Sequence, residues 1–245
     1  MKVVVIIPAA GLGTRMSAVR GGSRSKSKQF FELQGTPILV HTLRKFAQCP
    51  AVSEIVVALR NSETTIFQKQ IEKEKFNKPL RVVEGGEHRQ NSVANAIAAM
   101  NAAADDIVLV HDAVRPFVDQ ETIANVIEAV KKYDAAIAAI PAVDTVKQVD
   151  RTADGAVVIA TVPRERMVLA QTPQGFRFGL LKKAFDEAAA DGFMGTDEAS
   201  LIEHGGGAVH VVMGSPRNMK ITTPADLELA EFFLALENRE LSLSG

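Results

Sequence analysis

Four short runs of β-branched and aliphatic residues punctuate the first half of the chain: Val3 to Ile7, Ile55 to Leu59, Leu80 to Val83 and Ile107 to Val110. They are apolar almost throughout, so each reads as a strand buried on both faces of a sheet. Stretches with helical spacing of apolar residues follow them at Pro37 to Ala47, Ser62 to Lys75, His88 to Ala103 and Gln120 to Lys132. Neighbouring parallel strands need a long connection to bring the chain back, and a helix supplies it. The alternation therefore predicts an α/β fold: a single Rossmann-like, mostly parallel sheet with helices on both faces. Ligands of such sheets bind where loops leave the carboxyl ends of the strands.

The alternation breaks between Ala142 and Val162. Thr145 to Val149 and Ala156 to Ala160 flank a turn that ends Asp154-Gly155, which predicts a protruding β-hairpin arm over 142–162. Helical spacing resumes at Gly179 to Ala190, a strand follows at Val209 to Met213, and a last helix starts at Pro224, capped by Thr223. With 245 residues and no internal repeat or long linker, one α/β domain over 1–245 is expected.

Charge narrows the partners. Lys and Arg total 28 against 29 Asp and Glu, and a net charge of -1 makes no global field for nucleic acid or an anionic membrane. Neither is expected as a partner, so any anion must be gripped locally. The apolar run after Lys2 is cut by Pro8, below the roughly 7–15 residues of a signal-peptide core, and no run nears the roughly 18 needed to span a bilayer. The single Cys49 cannot form an internal disulfide, and the five His lack zinc-ligand spacing. A soluble, cytoplasmic protein is expected.

The first strand runs into Pro8-Ala9-Ala10-Gly11-Leu12-Gly13-Thr14-Arg15-Met16. Small residues and two glycines let the backbone approach a phosphate or base, although a tight turn without ligand has the same composition. A dinucleotide fingerprint wants Gly or Ala in place of Met16, and its acidic partner, for which Glu32 has the spacing, should end a second strand. A Walker loop is excluded because no Gly-Lys-Ser/Thr follows. Arg20, Arg24, Lys26 and Lys28 next crowd a Gly- and Ser-rich stretch that is either a solvated loop or a cover for a triphosphate.

Gly85-Gly86-Glu87-His88-Arg89-Gln90-Asn91-Ser92 opens a helix after the third strand, offering backbone donors and a hydroxyl. His111-Asp112-Ala113-Val114-Arg115-Pro116 follows the fourth; its Asp can hold a metal or ribose, or simply pair with Arg115. Thr196-Asp197-Glu198 can cap a helix, and Asn218-Met219-Lys220-Ile221-Thr222 is expected to place Lys220 at a strand end.

Together with Lys28-Gln29-Phe30, Asp144-Thr145-Val146-Lys147 and Gln171-Thr172-Pro173-Gln174, these motifs stand in the order seen in one family. From residue 2 to 236 the chain resembles the 2-C-methyl-D-erythritol 4-phosphate cytidylyltransferases of non-mevalonate isoprenoid synthesis. The resemblance implies a nucleotidyltransferase domain in which Arg15 and Lys28 stabilise the transition state at the α-phosphate of CTP. It makes Arg164 and Lys220 the residues that position the incoming sugar phosphate. Pro8, Ala9, Ala10, Gly11, Gly13, Gly86, Glu87, Ser92, Asp112 and Ala113 would hold the nucleotide, Asp112 and Arg115 lying between it and the second substrate. Thr145, Thr172, Thr196 and Thr222 would surround the methylerythritol phosphate. Mg2+ would enter with CTP without a dedicated protein cage, and the arm over 142–162 would build a homodimer in which Arg164 and Thr145 serve the neighbour's site.

Two departures stand out. Ser27 precedes Lys28 where the family usually has Pro, and the loop from Met16 is longer, so Lys26 competes for the role of Lys28. Met167-Val168 replaces an aromatic residue common in the family, a change expected to alter packing rather than chemistry. The related ribitol-5-phosphate cytidylyltransferases, a catalytically silent nucleotide-binding protein and a dehydrogenase are the alternative readings.

Overall fold

The structure, a computed structural model, describes residues 1–11, 27–72 and 74–243. Strand β1 (Val3–Pro8) is followed, among the described residues, by a one-turn 3-10 helix at Lys28–Phe30 and a small ribbon of β2 (Glu32–Leu33) and β3 (Thr36–Pro37). Helix α1 (Ile38–Gln48), β4 (Glu54–Leu59), α2 (Asn61–Ile71), β5 (Leu80–Glu84), α3 (Arg89–Ala99) and β6 (Ile107–Val110) complete the alternating half. Then come α4 (Gln120–Tyr133), β7 (Ala135–Pro141), the hairpin β8 (Val146–Thr152) and β9 (Gly155–Val162), β10 (Val168–Arg177), α5 (Phe178–Asp191), α6 (Glu198–His204), β11 (His210–Met213) and α7 (Pro224–Leu243).

Among the described residues, seven strands form the main sheet in the order β11-β7-β10-β6-β1-β4-β5. All run the same way except β10, which is antiparallel to β6 and β7. The mostly parallel α/β fold is thus what the alternation predicted. Because successive side chains leave a strand on opposite faces, β1 divides its apolar run between two cores. Val5 and Ile7 pack with Leu39, Leu43 and Phe46 of α1 and Val126 and Val130 of α4. Val4 and Ile6 pack with Val93 and Ile97 of α3 and Leu181 and Phe185 of α5. Each such side chain, fully buried, contributes roughly 1.5–3 kcal/mol. A third cluster, with Leu33, Ile38, Val114, Phe117, Ile221 and Leu234, ties the β2–β3 ribbon and α7 to the site.

The differences from the sequence reading have local causes. The helix read to Ala103 ends at Ala99, because Asp106 accepts the amides of Ala103 and Lys2 and bends the chain toward β6. The helix read to Lys75 ends at Ile71, after which Phe76 packs onto the core and the chain turns toward β5. β5 itself is a sheet edge with Arg81 and Glu84 exposed, not a strand buried on both faces. Residues 218–222 form no strand. Buried Ile221 instead pins them as a loop, its N–H donating to the Val114 carbonyl at 2.9 Å.

Strands β7 and β10 had no counterpart in the sequence reading. Ala135-Ala136-Ile137-Ala138-Ala139 lacks β-branched density, and β10 carries Pro173 and Gly175, both rare in strand interiors. A Cβ at Gly175 would stand 2.7 Å from Val126, 2.8 Å from Val130 and 2.9 Å from Leu109, so helix α4 can lie this close only over a glycine. The hairpin β8–β9 forms a ribbon of its own, with Val149, Val157, Val158 and Ile159 exposed and Val146 half-buried. No helix among the described residues is long and apolar enough to cross a membrane.

Candidate active site

The loops that leave β1, β5 and β6 gather at one end of the sheet, as parallel topology requires. A cleft there is lined by Pro8, Ala9, Ala10, Gly11, Lys28, Gly86, Glu87, Ser92, Asp112, Ala113 and Lys220. Its walls are fastened from behind. Ala9 donates its N–H to the Ala58 carbonyl at 2.8 Å, and its own carbonyl accepts from the Gln29 side-chain amide. A Cβ on Gly85 would land on the Ala10 methyl, so the first and third loops touch only because Gly85 has none. The buried Ser92 hydroxyl accepts the Gly86 N–H at 3.0 Å and lies 3.1 Å from the His88 carbonyl, which closes the Gly86 turn over the start of α3.

Lys28 is placed by its neighbours. Ser27 donates to Glu63 of α2, Gln29 reaches Ala9, and Phe30 is buried beneath them. Lys220 is placed by Ile221 in the same way, and its Nζ lies 2.9 Å from Asp112 Oδ2.

Asp112 is the centre of the charge arrangement. Arg89 Nε donates to its Oδ1 at 3.2 Å, and Arg115 Nε and Lys220 Nζ reach its Oδ2. Burial alone would raise its carboxyl, but Arg89, Lys220 and Arg115 outweigh burial and hold it well below the ordinary carboxylate range. Arg89 also forks onto Glu198 through Nη1, at 2.6 and 2.8 Å from its two oxygens. Burial works against the Arg89 charge, yet Glu198 and Asp112 hold its pKa above the usual arginine value. At Glu198, only 1% exposed, burial prevails over the pull of Arg89 and raises the carboxyl.

A second chamber opens on the other side of Asp112, lined by Arg89, Asp112, Arg115, Gln171, Thr172, Gln174, Thr196, Asp197 and Lys220. The pairing of β10 with β7 shifts register between Ala170 and Gln174, and this irregularity turns Gln171-Thr172-Pro173 toward the chamber. Asp197 caps α6 by accepting from Ser200 N–H at 3.0 Å while its other oxygen accepts from Gln174 at 2.8 Å. His111, fully buried under Phe46, lies 3.1 Å from Thr172 Oγ1 through Nδ1 and 3.0 Å from the Arg115 carbonyl through Nε2. Burial lowers its pKa to about 4, so the ring is neutral at pH 7.

The fold thus brings together most of the residues that the sequence singled out, with Arg115, Thr172 and Thr196 joining Lys220 and Asp112 in the second chamber. Others lie elsewhere. The Thr222 hydroxyl donates to Asp226 at the start of α7, and Thr145 and Arg164 stand exposed at the roots of the hairpin, where Arg164 donates to the Val143 carbonyl at 2.8 Å. Gly13, Arg15 and Lys26 fall outside the described residues. Sequence reasoning gave no role to Arg89, Glu198 or His111. The only signal for the first two was a charged residue inside each motif, and Arg89 and Glu198 meet across 109 positions.

A mostly parallel sheet whose glycine turns and cations line two adjoining chambers suits an enzyme that holds two anionic substrates side by side, as a nucleotidyltransferase does. Residues 3–236 match the family model of 2-C-methyl-D-erythritol 4-phosphate cytidylyltransferase, and the chain belongs to that family. A protein of that name from Acidobacterium capsulatum is 59% identical over 236 residues, covering 96% of this chain and 98% of its own. One from Solibacter usitatus is 50% identical over 247 residues and the full length of both. The solved structure of the Francisella tularensis cytidylyltransferase matches with a TM-score of 0.78 at 38% identity, covering 95% of this chain and 99% of that one.

Proposed function

We propose that this enzyme joins CTP to 2-C-methyl-D-erythritol 4-phosphate, giving 4-diphosphocytidyl-2-C-methyl-D-erythritol and pyrophosphate in the non-mevalonate route to isoprenoid precursors. The observation that carries this reading is the Asp112 cluster, which sets Arg89, Arg115 and Lys220 between two adjoining chambers. A phosphate monoester oxygen attacks the α-phosphorus of CTP as pyrophosphate leaves. That oxygen is already nucleophilic, so the site needs no general base. It needs cations that offset the repulsion between two anions and hold them in line.

In this proposal CTP occupies the cleft at Ala9, Ala10 and Gly86, with Lys28 and Arg15 at its phosphates. The sugar phosphate occupies the second chamber, met by Lys220, Arg115, Thr172 and Thr196. Among the described residues no group of three or more His, Cys, Asp or Glu is arranged to hold a metal ion. A Mg2+ entering with CTP, without a dedicated protein cage, would add positive charge at the triphosphate. A cytoplasmic setting belongs to the same proposal, in keeping with a buried, unbridged Cys49.

We also propose a homodimer formed through the hairpin arm. The exposed Val157 and Ile159 offer apolar surface left uncovered among the described residues, and Arg164 at the arm's root lines neither of the two chambers. Pyrophosphate release with CTP and each sugar phosphate in turn tests the activity. Release with methylerythritol phosphate and none with ribitol 5-phosphate is expected; the reverse pattern would overturn the proposal. The ribitol-specific reading is not favoured by the family match.

A further inference from the structure

We propose that His111 is a positioning residue that makes Thr172 a hydrogen-bond acceptor toward the hydroxyls of the sugar-alcohol substrate, and so toward its carbon chain rather than its phosphate. The inference rests on the substrate reading above and follows from counting hydrogens. A backbone carbonyl only accepts, so His111 Nε2, 3.0 Å from the Arg115 carbonyl, carries the ring's hydrogen. A neutral imidazole has one N–H, which leaves Nδ1 with a lone pair. Thr172 Oγ1, 3.1 Å from Nδ1, must then donate to it. The same oxygen accepts the Asp112 N–H at 3.0 Å. The hydroxyl's only hydrogen is thereby spent and Oγ1 keeps one lone pair, on a residue that lines the chamber.

A phosphate dianion offers acceptors alone and gains nothing from such a lone pair. A substrate hydroxyl is a donor and completes it. Two positive side chains of the same chamber, Lys220 and Arg115, are left to take the phosphate, while Arg89 is forked onto Glu198. His111 can impose this polarity because it is held rigidly: fully buried, with its ring edge-on to Phe46 at 4.8 Å between centroids and both nitrogens bonded. It is one residue from Asp112, so the same imidazole also sets the backbone that carries the central carboxylate.

Two measurements on the full-length enzyme test this. With 15N-labelled histidine at pH 7, two-bond proton–nitrogen correlations should show His111 with hydrogen on Nε2 and bare Nδ1; a hydrogen on Nδ1 would overturn the proposal whatever substrate the enzyme uses. The second is kinetic, using the sugar phosphate that proves to be turned over and its deoxy analogues, each lacking one hydroxyl. Thr172→Val should raise KM for that substrate about 10-fold and Thr172→Ser by no more than about 2-fold. The Thr172→Val penalty should vanish for one deoxy analogue, the one missing the hydroxyl that Thr172 accepts. A penalty that persists undiminished with every analogue places Thr172 on the phosphate and refutes the idea. His111→Phe, which keeps the ring but loses both bonds, should add less than about 2-fold to KM in the Thr172→Val background. If it adds its full effect there, His111 does not act through Thr172. Should His111→Phe fail to fold, the correlation spectrum and the Thr172 series still decide. A failed substrate assignment would appear separately, as absent turnover of methylerythritol phosphate with an intact Nε2–H signal.

Discussion

His111 carries a cost that appears only in acid. Its folded pKa of about 4 lies below its ordinary value of 6.5, because burial opposes the charged ring. The unfolded chain then binds the extra proton first, so this stabilisation is complete above pH 6.5 and is lost as pH falls toward 4. Unfolding in urea should show about 3 kcal/mol disappearing across that window, and His111→Phe should flatten it. Equal pH slopes in the two proteins would count against the neutral buried ring. Asp112 also loses stabilisation in acid, but at lower pH, since its carboxyl is held below the ordinary range. Lys28 makes a second residue-scale test. Ser27, Gln29 and Phe30 anchor its turn, so Lys28→Ala should lower turnover about 100- to 1000-fold while Lys26→Ala changes it far less. A larger loss in Lys26→Ala would shift the phosphate contact to that residue.

Elements reach the site through close approaches that a single methyl would spoil. Gly85 lets the loops after β1 and β5 meet at Ala10, and Gly175 lets α4 lie on β10. These two glycines should separate binding from folding. Gly85→Ala should lower kcat/KM for CTP by about 100-fold, because it displaces the cleft proposed to hold CTP. Gly175→Ala should instead cost about 1–3 kcal/mol in thermal unfolding, since Val126, Val130 and Leu109 must all give way. If Gly175→Ala melts like the parent, the packing described for α4 is wrong. The contrast between strands shows what could be read from the chain. β1, β4 and β6 announced themselves as dense Val and Ile runs, whereas alanine-rich β7 acquires strand geometry only from its place between β10 and β11.

At the scale of the whole molecule the hairpin is the feature that one chain leaves unfinished. A two-stranded ribbon is marginal in water, and Val157 and Ile159 remain exposed on this one. If the proposed dimer places Arg164 in its neighbour's chamber, mixing inactive Lys28→Ala with inactive Arg164→Ala protein should restore about a quarter of wild-type activity, since about half the dimers would hold one intact site. Demonstrated subunit exchange with no recovery would confine Arg164 to its own chain. The amino-acid sequence by itself determined the mostly parallel α/β class, the hairpin, and the loops where the candidate site residues gather, because strand density, turn glycines and motif order are local properties. Only the tertiary structure decided which charges meet. Arg89, Asp112, Glu198 and Lys220 come from four separated segments, and their pairing follows from burial, where a charge must find its opposite wherever the fold brings one within reach.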